Sequence, residues 1–89
     1  MPKMVVTHSV VDVDNWLKGK AERAAAITAM GCTNVLDYVA EDGSKAIAVT
    51  ADVTDVPAVM AAMSAPPAEV AAAMERHGVL PPLTIYIEK

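Results

Sequence analysis

The chain has 89 residues, a formal net charge of −4 and a pI near 4.9, and it is 54% hydrophobic but only 3% aromatic, with no phenylalanine. That length predicts a single domain over residues 1–89. The acidic balance and the lack of any basic run argue against nucleic acid or an anionic membrane surface as partners, and no apolar run reaches the roughly 18–20 residues of a bilayer span.

Alanine and valine supply most of the apolar content. Any core must therefore be built from small side chains, and a domain this small buries only roughly 60–65% of its unfolded surface. Such a chain gains from burying a further face against a partner. The N-terminal MPKMVVTHSVVDVDN turns acidic after a short apolar stretch, unlike a signal peptide. Cys32 is the only cysteine, so no intrachain disulfide forms, and with Gly31 before it and no basic neighbour it reads as packing rather than a nucleophile. A soluble, cytoplasmic protein is expected.

Lys3 to Val10 is short and rich in β-branched residues, which predicts a strand. Asp12 or Asp14 then caps a helix running from about Asn15 to Met30. Val13, Leu17, Ala21, Ala24, Ile27 and Thr28 form its inward stripe, Lys18 and Glu22 pair on its outer side, and Gly31 ends it. Thr33 to Ala40 is a second strand. Glu41-Asp42-Gly43-Ser44 is a hairpin turn, because Asp-Gly accepts the positive φ of tight turns. Lys45 to Ala51 is the third strand. Asp55 caps the next helix, with Pro57 in its first turn, and Val56, Val59, Met60 and Met63 form the apolar stripe. Pro66 and Pro67 interrupt it, and a second piece runs from Ala68 to His77 with Val70, Ala73, Met74 and His77 on one face. Gly78 ends that piece, and Pro81-Pro82 lead into the last strand, LTIYIE.

The order β-α-β-β-α-β predicts an α+β, ferredoxin-like fold: a four-stranded antiparallel sheet with two helices on one face. The strands are apolar in runs, Met4 to Val6 and Ala46 to Val49, where a sheet with one wet face alternates. The helix-free face is therefore expected to pack against a second copy of the chain as an isologous homodimer, closing an α/β barrel.

This topology brings His8, Asp12, Asp14, Asn15, Trp16, His77 and the Pro81-Pro82 segment toward one end of the domain. His8 and His77 are the candidate catalytic residues, because an imidazole with a pKa of about 6.5 moves protons near neutrality. Trp16, Tyr38, Tyr86, Met63 and Met74 are the candidate walls of a ligand site. Each has a plainer role beside it. His77 suits a helix C-terminus, where free carbonyls favour imidazolium. His8 shares a strand face with Val6 and Val10 and is either a hydrogen-bonded core histidine or a pocket residue. Trp16 serves equally as a packing anchor, the methionines as core, and the aspartates as caps. No His-x-x-x-His or Cys-x-x-Cys spacing points to a metal, no Gly-x-Ser-x-Gly to a serine nucleophile, and no glycine loop to phosphate.

THSVVDVDNW leading into the first helix, the Asp42-Gly43 hairpin and SAPPAEVAAAMERHGV before the last strand resemble the dimeric α/β-barrel superfamily, related to antibiotic-biosynthesis monooxygenases and stress-responsive barrel proteins. The resemblance spans nearly the whole chain. It implies a ligand cavity between sheet and helices and a range of activities, from cofactor-independent monooxygenases and polyketide cyclases to haem-degrading enzymes and lactone isomerases. Of the Asn, Trp and His set of the haem-degrading members only His77 is matched, since Ala46 to Ala51 stand where the tryptophan belongs. The polyketide-cyclase pattern of two histidines and tyrosines is compatible with His8, His77, Tyr38 and Tyr86, although the local motif differs. The resemblance thus implies binding of a small apolar or aromatic molecule, without an organic cofactor and with histidine acid–base chemistry. The alternative is a non-catalytic ligand-binding or dimerisation module with structural histidines.

Overall fold

In the computed structural model, which describes all 89 residues, the elements run β1 (Lys3–Val10), α1 (Val13–Lys18), α2 (Lys20–Ala29), β2 (Cys32–Val39), β3 (Ala46–Val53), α3 (Val56–Ser64), α4 (Ala68–Arg76) and β4 (Val79–Ile87). The strands pair antiparallel in the order β2-β3-β1-β4. This is the ferredoxin-like arrangement expected from the element order. No single helix is long and apolar enough to cross a membrane.

Strand periodicity sorts the side chains onto two faces. Met4, Val6 and Val10 of β1 and Ile47, Val49, Ala51 and Val53 of β3 are buried on the face that meets the helices. The stripe Val56, Val59, Met60 and Met63 of α3 packs onto that face as expected, with Val59 fully buried. The other face carries Val5, Thr7, Leu36, Tyr38, Ala46, Ala48, Thr84 and Tyr86, assigned by their pairing across the strands. Leu36, Tyr38 and Tyr86 are exposed there.

Two irregularities adjust this alternation. In β2 the register slips between Thr33 and Leu36, and Asn34 takes a positive φ of 54°. Asparagine tolerates that conformation, and the extra residue lets Cys32 and Val35, three apart, both face the core. In β4 the residues between Leu80 and Thr84 outnumber those between Ser9 and Thr7 opposite. Pro81 and Pro82 have no N–H to give the ladder, so pairing to β4 is broken beside His8.

The first helix departs from expectation. It breaks at Gly19 into α1 and α2. The predicted inward stripe holds in part: Val13, Ala24 and Ile27 are half-buried, but Leu17, Ala21 and Thr28 are exposed, and Trp16, Gly19 and Arg23 turn inward instead. The predicted caps hold, with Asp12 accepting from the Asn15 amide and Asp55 from that of Ala58. Gly31, Gly43 and Gly78 take the positive φ expected of helix ends and a tight turn.

Glu22 does not hydrogen-bond Lys18. It reaches across to the end of α4, where Arg76 Nη2 donates to both its oxygens at 3.0 Å and His77 Nε2 donates to Oε1 at 2.8 Å. Asn15 Nδ2 adds a hydrogen bond to the Arg76 carbonyl. These contacts matter because α4 buries no residue fully. Its half-buried face is the expected one, Val70, Ala73, Met74 and His77. Burial works to raise the Glu22 pKa, but Arg76 and His77 together hold it below the ordinary carboxylate value.

The His77 ring reaches Glu22 by lying against Gly19, where an added Cβ would meet the imidazole at 2.4 Å from Nε2. Gly19 has a φ of −87°, which alanine adopts freely, so the backbone alone predicts that G19A stabilises by about 0.5–1 kcal/mol. Overpacking predicts the reverse, a loss of roughly 1–3 kcal/mol. G19A is expected to melt lower than the native chain, and the same change is expected to cost much less when it is made in H77A. Strictly additive melting shifts in this cycle would show that the ring and residue 19 do not touch.

Candidate functional site

The candidate site lies where β1 feeds α1, and its centre is a charge. Arg23 of α2 donates from Nη2 to Asp37 Oδ2 at 3.0 Å, from Nε to Asp37 Oδ1 at 3.4 Å, and from Nη1 to the Trp16 carbonyl at 3.1 Å. The two charged side chains are nearly out of solvent, with 11% of Arg23 and 4% of Asp37 exposed. The guanidinium also stacks over the Trp16 indole, 3.9 Å from its centroid, a cation–π geometry that desolvation strengthens. Trp16 is fully buried, and its Nε1 finds no partner in the protein.

His8 stands on the other side of the indole. The two rings meet edge to face at an interplanar angle of 81° with centroids 6.4 Å apart. His8 pairs across the ladder with Ile47, a core residue, so its imidazole faces the helices and not the open sheet face. Its Nδ1 lies 2.9 Å from the Ser9 carbonyl oxygen. A carbonyl only accepts, so Nδ1 carries a proton and, in the neutral ring, Nε2 is the lone-pair acceptor. Burial pushes the His8 pKa below its ordinary value; the Ser9 carbonyl opposes this and the Arg23 charge adds to it. The result is a half-buried imidazole favoured in its neutral form, with one nitrogen left to take a proton.

The other expected residues scatter. His77 belongs to the Glu22 contact at the end of α4 and shares no hydrogen bond with His8. Met63 packs into the sheet–helix core, and Met74 is half-buried on α4. Tyr38 pairs with Ala48 and Tyr86 with Val5, which places both on the open face, across the sheet from His8 and Trp16. One compartment lined by both imidazoles and both tyrosines therefore does not form. The reason is parity: each tyrosine is an odd number of ladder steps from the inward set.

The open face has a pocket of its own, of about 420 Å³, near the hairpin end. Thr7, His8, Tyr38, Ala48, Pro82 and Thr84 are among the residues that line it, so His8 and Tyr38 border one pocket although their side chains leave the sheet on opposite faces. It is the larger of the two principal pockets, and the second, about 360 Å³, lies by Asp12, Asp14 and Lys45. No group of three or more His, Cys, Asp or Glu side chains is placed to hold a metal ion. Cys32 is buried, which pushes its thiol pKa up and away from nucleophilic use.

Sequence reasoning passed over Arg23 and Asp37. One signal was present. Asp37 stands between Val35 and Val39 at the inward positions of a strand, where a carboxylate needs a partner. Arg23 lies seven residues after Trp16, two helical turns on, and on the same face.

No protein-family model matches the chain, and no curated protein matches its sequence. Its likeness is to solved structures. A candidate antibiotic biosynthesis monooxygenase from Bordetella bronchiseptica superposes with a TM-score of 0.74 at 14% identity, over 99% of this chain and 94% of that one. An antibiotic biosynthesis monooxygenase matches with a TM-score of 0.69 at 11% identity, over 100% and 97%. SnoaB, a cofactor-independent oxygenase from Streptomyces nogalater, matches in a mutant form with a TM-score of 0.67 at 17% identity, over 96% and 89%. At these identities the likeness is one of fold, and the chain has the ferredoxin-like fold of the antibiotic biosynthesis monooxygenase structures.

Proposed function

We propose that this chain is a cofactor-independent, monooxygenase-like protein that acts on a small apolar or aromatic molecule at the corner between β1, α1 and α2. The observation that carries the reading is His8. Its Nδ1 is committed to the Ser9 carbonyl, and burial disfavours its charged form, so Nε2 is a base at neutral pH. A base of this kind suits a substrate whose C–H is acidified by flanking aromatic rings or a carbonyl. Removing that proton gives a carbanion that dioxygen can oxidise. The net change is R₂CH₂ + O₂ → R₂C=O + H₂O, with dioxygen as the oxidant and the proton held at Nε2 between steps. The shared fold with SnoaB and the antibiotic biosynthesis monooxygenases supports this chemistry as the first to test. His77 is assigned a structural role, because its ring is spent on Glu22 and Gly19.

The test is oxygen uptake with a panel of anthrones and naphthols. The native chain should consume dioxygen and release the corresponding quinone. H8Q should lose roughly 10²–10⁴ of the rate, the ordinary worth of a general base, while H77Q keeps it within a few-fold. No uptake with any member, or equal rates in H8Q, would overturn the enzymatic reading.

A second reading, a non-catalytic ligand-binding module, is favoured by the pocket of about 420 Å³ that Tyr38 borders and that His77 does not reach. Saturable binding that perturbs Tyr38 without oxygen uptake would select it.

The same proposal includes a homodimer through the open sheet face. Support comes from composition: Leu36, Tyr38, Leu80 and Tyr86 are exposed large side chains on that face, and its charged pair, Lys3–Asp52, sits at one end of the β1–β3 ladder. Light scattering at micromolar concentration should give twice the chain mass. L36E should shift the mass toward one chain by setting like charges against each other across a two-fold axis. A native mass of one chain would sink the dimer.

A further inference from the structure

The Arg23–Asp37 pair is unexplained by packing alone. A domain with ten buried hydrophobic residues keeps two nearly buried charges, where apolar residues of similar volume commonly serve stability as well or better. What distinguishes the pair is its neighbour. Asp37 fixes the guanidinium plane, the plane lies 3.9 Å over the indole, and the indole meets His8 edge to face. The three groups form a stack that ends at the imidazole.

We propose that Arg23 is a positioning residue for His8, acting through the Trp16 ring, and that Asp37 sets how much of the Arg23 charge His8 feels. This deepens the proposed function and rests on His8 as the proton acceptor.

The electrostatics follow from the geometry. An imidazolium at His8 would be a second cation beside an indole whose face is already occupied by one. In a corner screened little by solvent, like charges at this separation repel appreciably. Arg23 is the one charged side chain with a direct Coulomb effect on His8, and it acts against protonation. The facing groups on the other elements are neutral: the Ser9 carbonyl on β1, the Trp16 ring on α1 and Ile47 on β3. Asp37 on β2 acts on Arg23 directly, through the bidentate contact. It therefore moderates the cation without itself touching the imidazole.

The stack also fixes position. Arg23 Nη1 holds the Trp16 carbonyl just before the break at Gly19, so the guanidinium secures both the ring and the backbone that carries it. The edge-to-face contact with Trp16 and the hydrogen bond to the Ser9 carbonyl together set the orientation of the His8 ring.

The experiment is an NMR titration of His8 in the free, folded protein for the native chain and for R23M, R23K and D37N. His77 is followed as an internal control. R23M removes the cation and should move the His8 titration to higher pH. D37N leaves the cation unmatched and should move it to lower pH. R23K keeps the charge and should stay near the native midpoint, with His77 unchanged in all three. Opposite shifts in R23M and D37N are something a merely structural pair cannot produce. Identical midpoints in all variants, or shifts of the same sign in R23M and D37N, overturn the proposal. If R23M does not fold, D37N and R23K decide alone: a D37N midpoint at or above native overturns it.

Where oxygen uptake is measurable, the acid limb of kcat/KM should follow the same order. Neutral His8 is the active form, so activity falls as pH drops through its titration. The limb moves to higher pH in R23K only if the point charge on lysine fails to replace the fork, and to lower pH in D37N. The titrations are read without substrate. They therefore stand or fall separately from the oxygenase reading: the order of midpoints can hold while uptake is absent, and uptake can occur while the midpoints do not move.

Discussion

The constraint on which the site depends is the burial of the Arg23 guanidinium against Trp16. The chain has a single tryptophan and no phenylalanine, so that indole is the largest apolar mass it can place in the core. Putting it at the first turn of α1 fills the corner between helix and sheet, but it also fixes an aromatic face that a cation can cover. The cation in turn requires a buried counter-charge, because an unpaired guanidinium there would cost several kcal/mol. Asp37 is that counter-charge, and it ties α2 to β2. One packing choice thus determines the charge pattern of the whole corner, including the field in which His8 titrates.

Gly19 is where this corner meets the rest of the molecule. Without a side chain there, the first helix breaks, Trp16 and Arg23 rotate inward together, and the His77 ring occupies the vacated space. The end of α4, which has little core of its own, is then held by Glu22, Asn15 and the packed ring. The two histidines are consequently linked through the fold and not through contact. His77 closes the helical layer over one side of the break, and His8 sits beneath the residues that the break turned inward.

Much of the fold is legible from sequence because its signals are local. Asp12 and Asp55 as caps, the Asp42-Gly43 turn and the Val56 to Met63 stripe each depend on a few neighbouring residues, and each is found where its chemistry predicts. What escaped depends on contacts between distant residues. Gly19 resembles an ordinary helical glycine until His77 is packed on it. Glu22 has Lys18 at the favoured spacing, yet two partners from α4 outbid one exposed lysine. Tyr38 and Tyr86 share a face with each other, which only the ladder register reveals, and Tyr38 alone of the two borders the pocket that His8 also lines. The bulge at Asn34 shifts parity in β2 without changing its composition.

The partition of the sheet into two unlike faces has a chemical consequence. The helix side places an imidazole, favoured in its neutral form by burial, beside the buried Arg23–Asp37 ion pair, which suits proton transfer. The open side offers tyrosines, threonines and alanines with no charge at its centre, which suits apolar contact and little reactivity. A second copy seated on that face would cover Leu36, Tyr38 and Tyr86, while the His8 ring stays packed edge to face on Trp16 on the helix side. Assembly and chemistry then occupy opposite sides of the same strands, and a substitution on one side reaches the other only through the sheet. Thr7 and Ser9, which flank His8 in sequence but face the other way, are the shortest route: the Ser9 carbonyl holds the His8 tautomer, so a distortion of β1 from the open face would be felt first as a change in which ring nitrogen carries the proton.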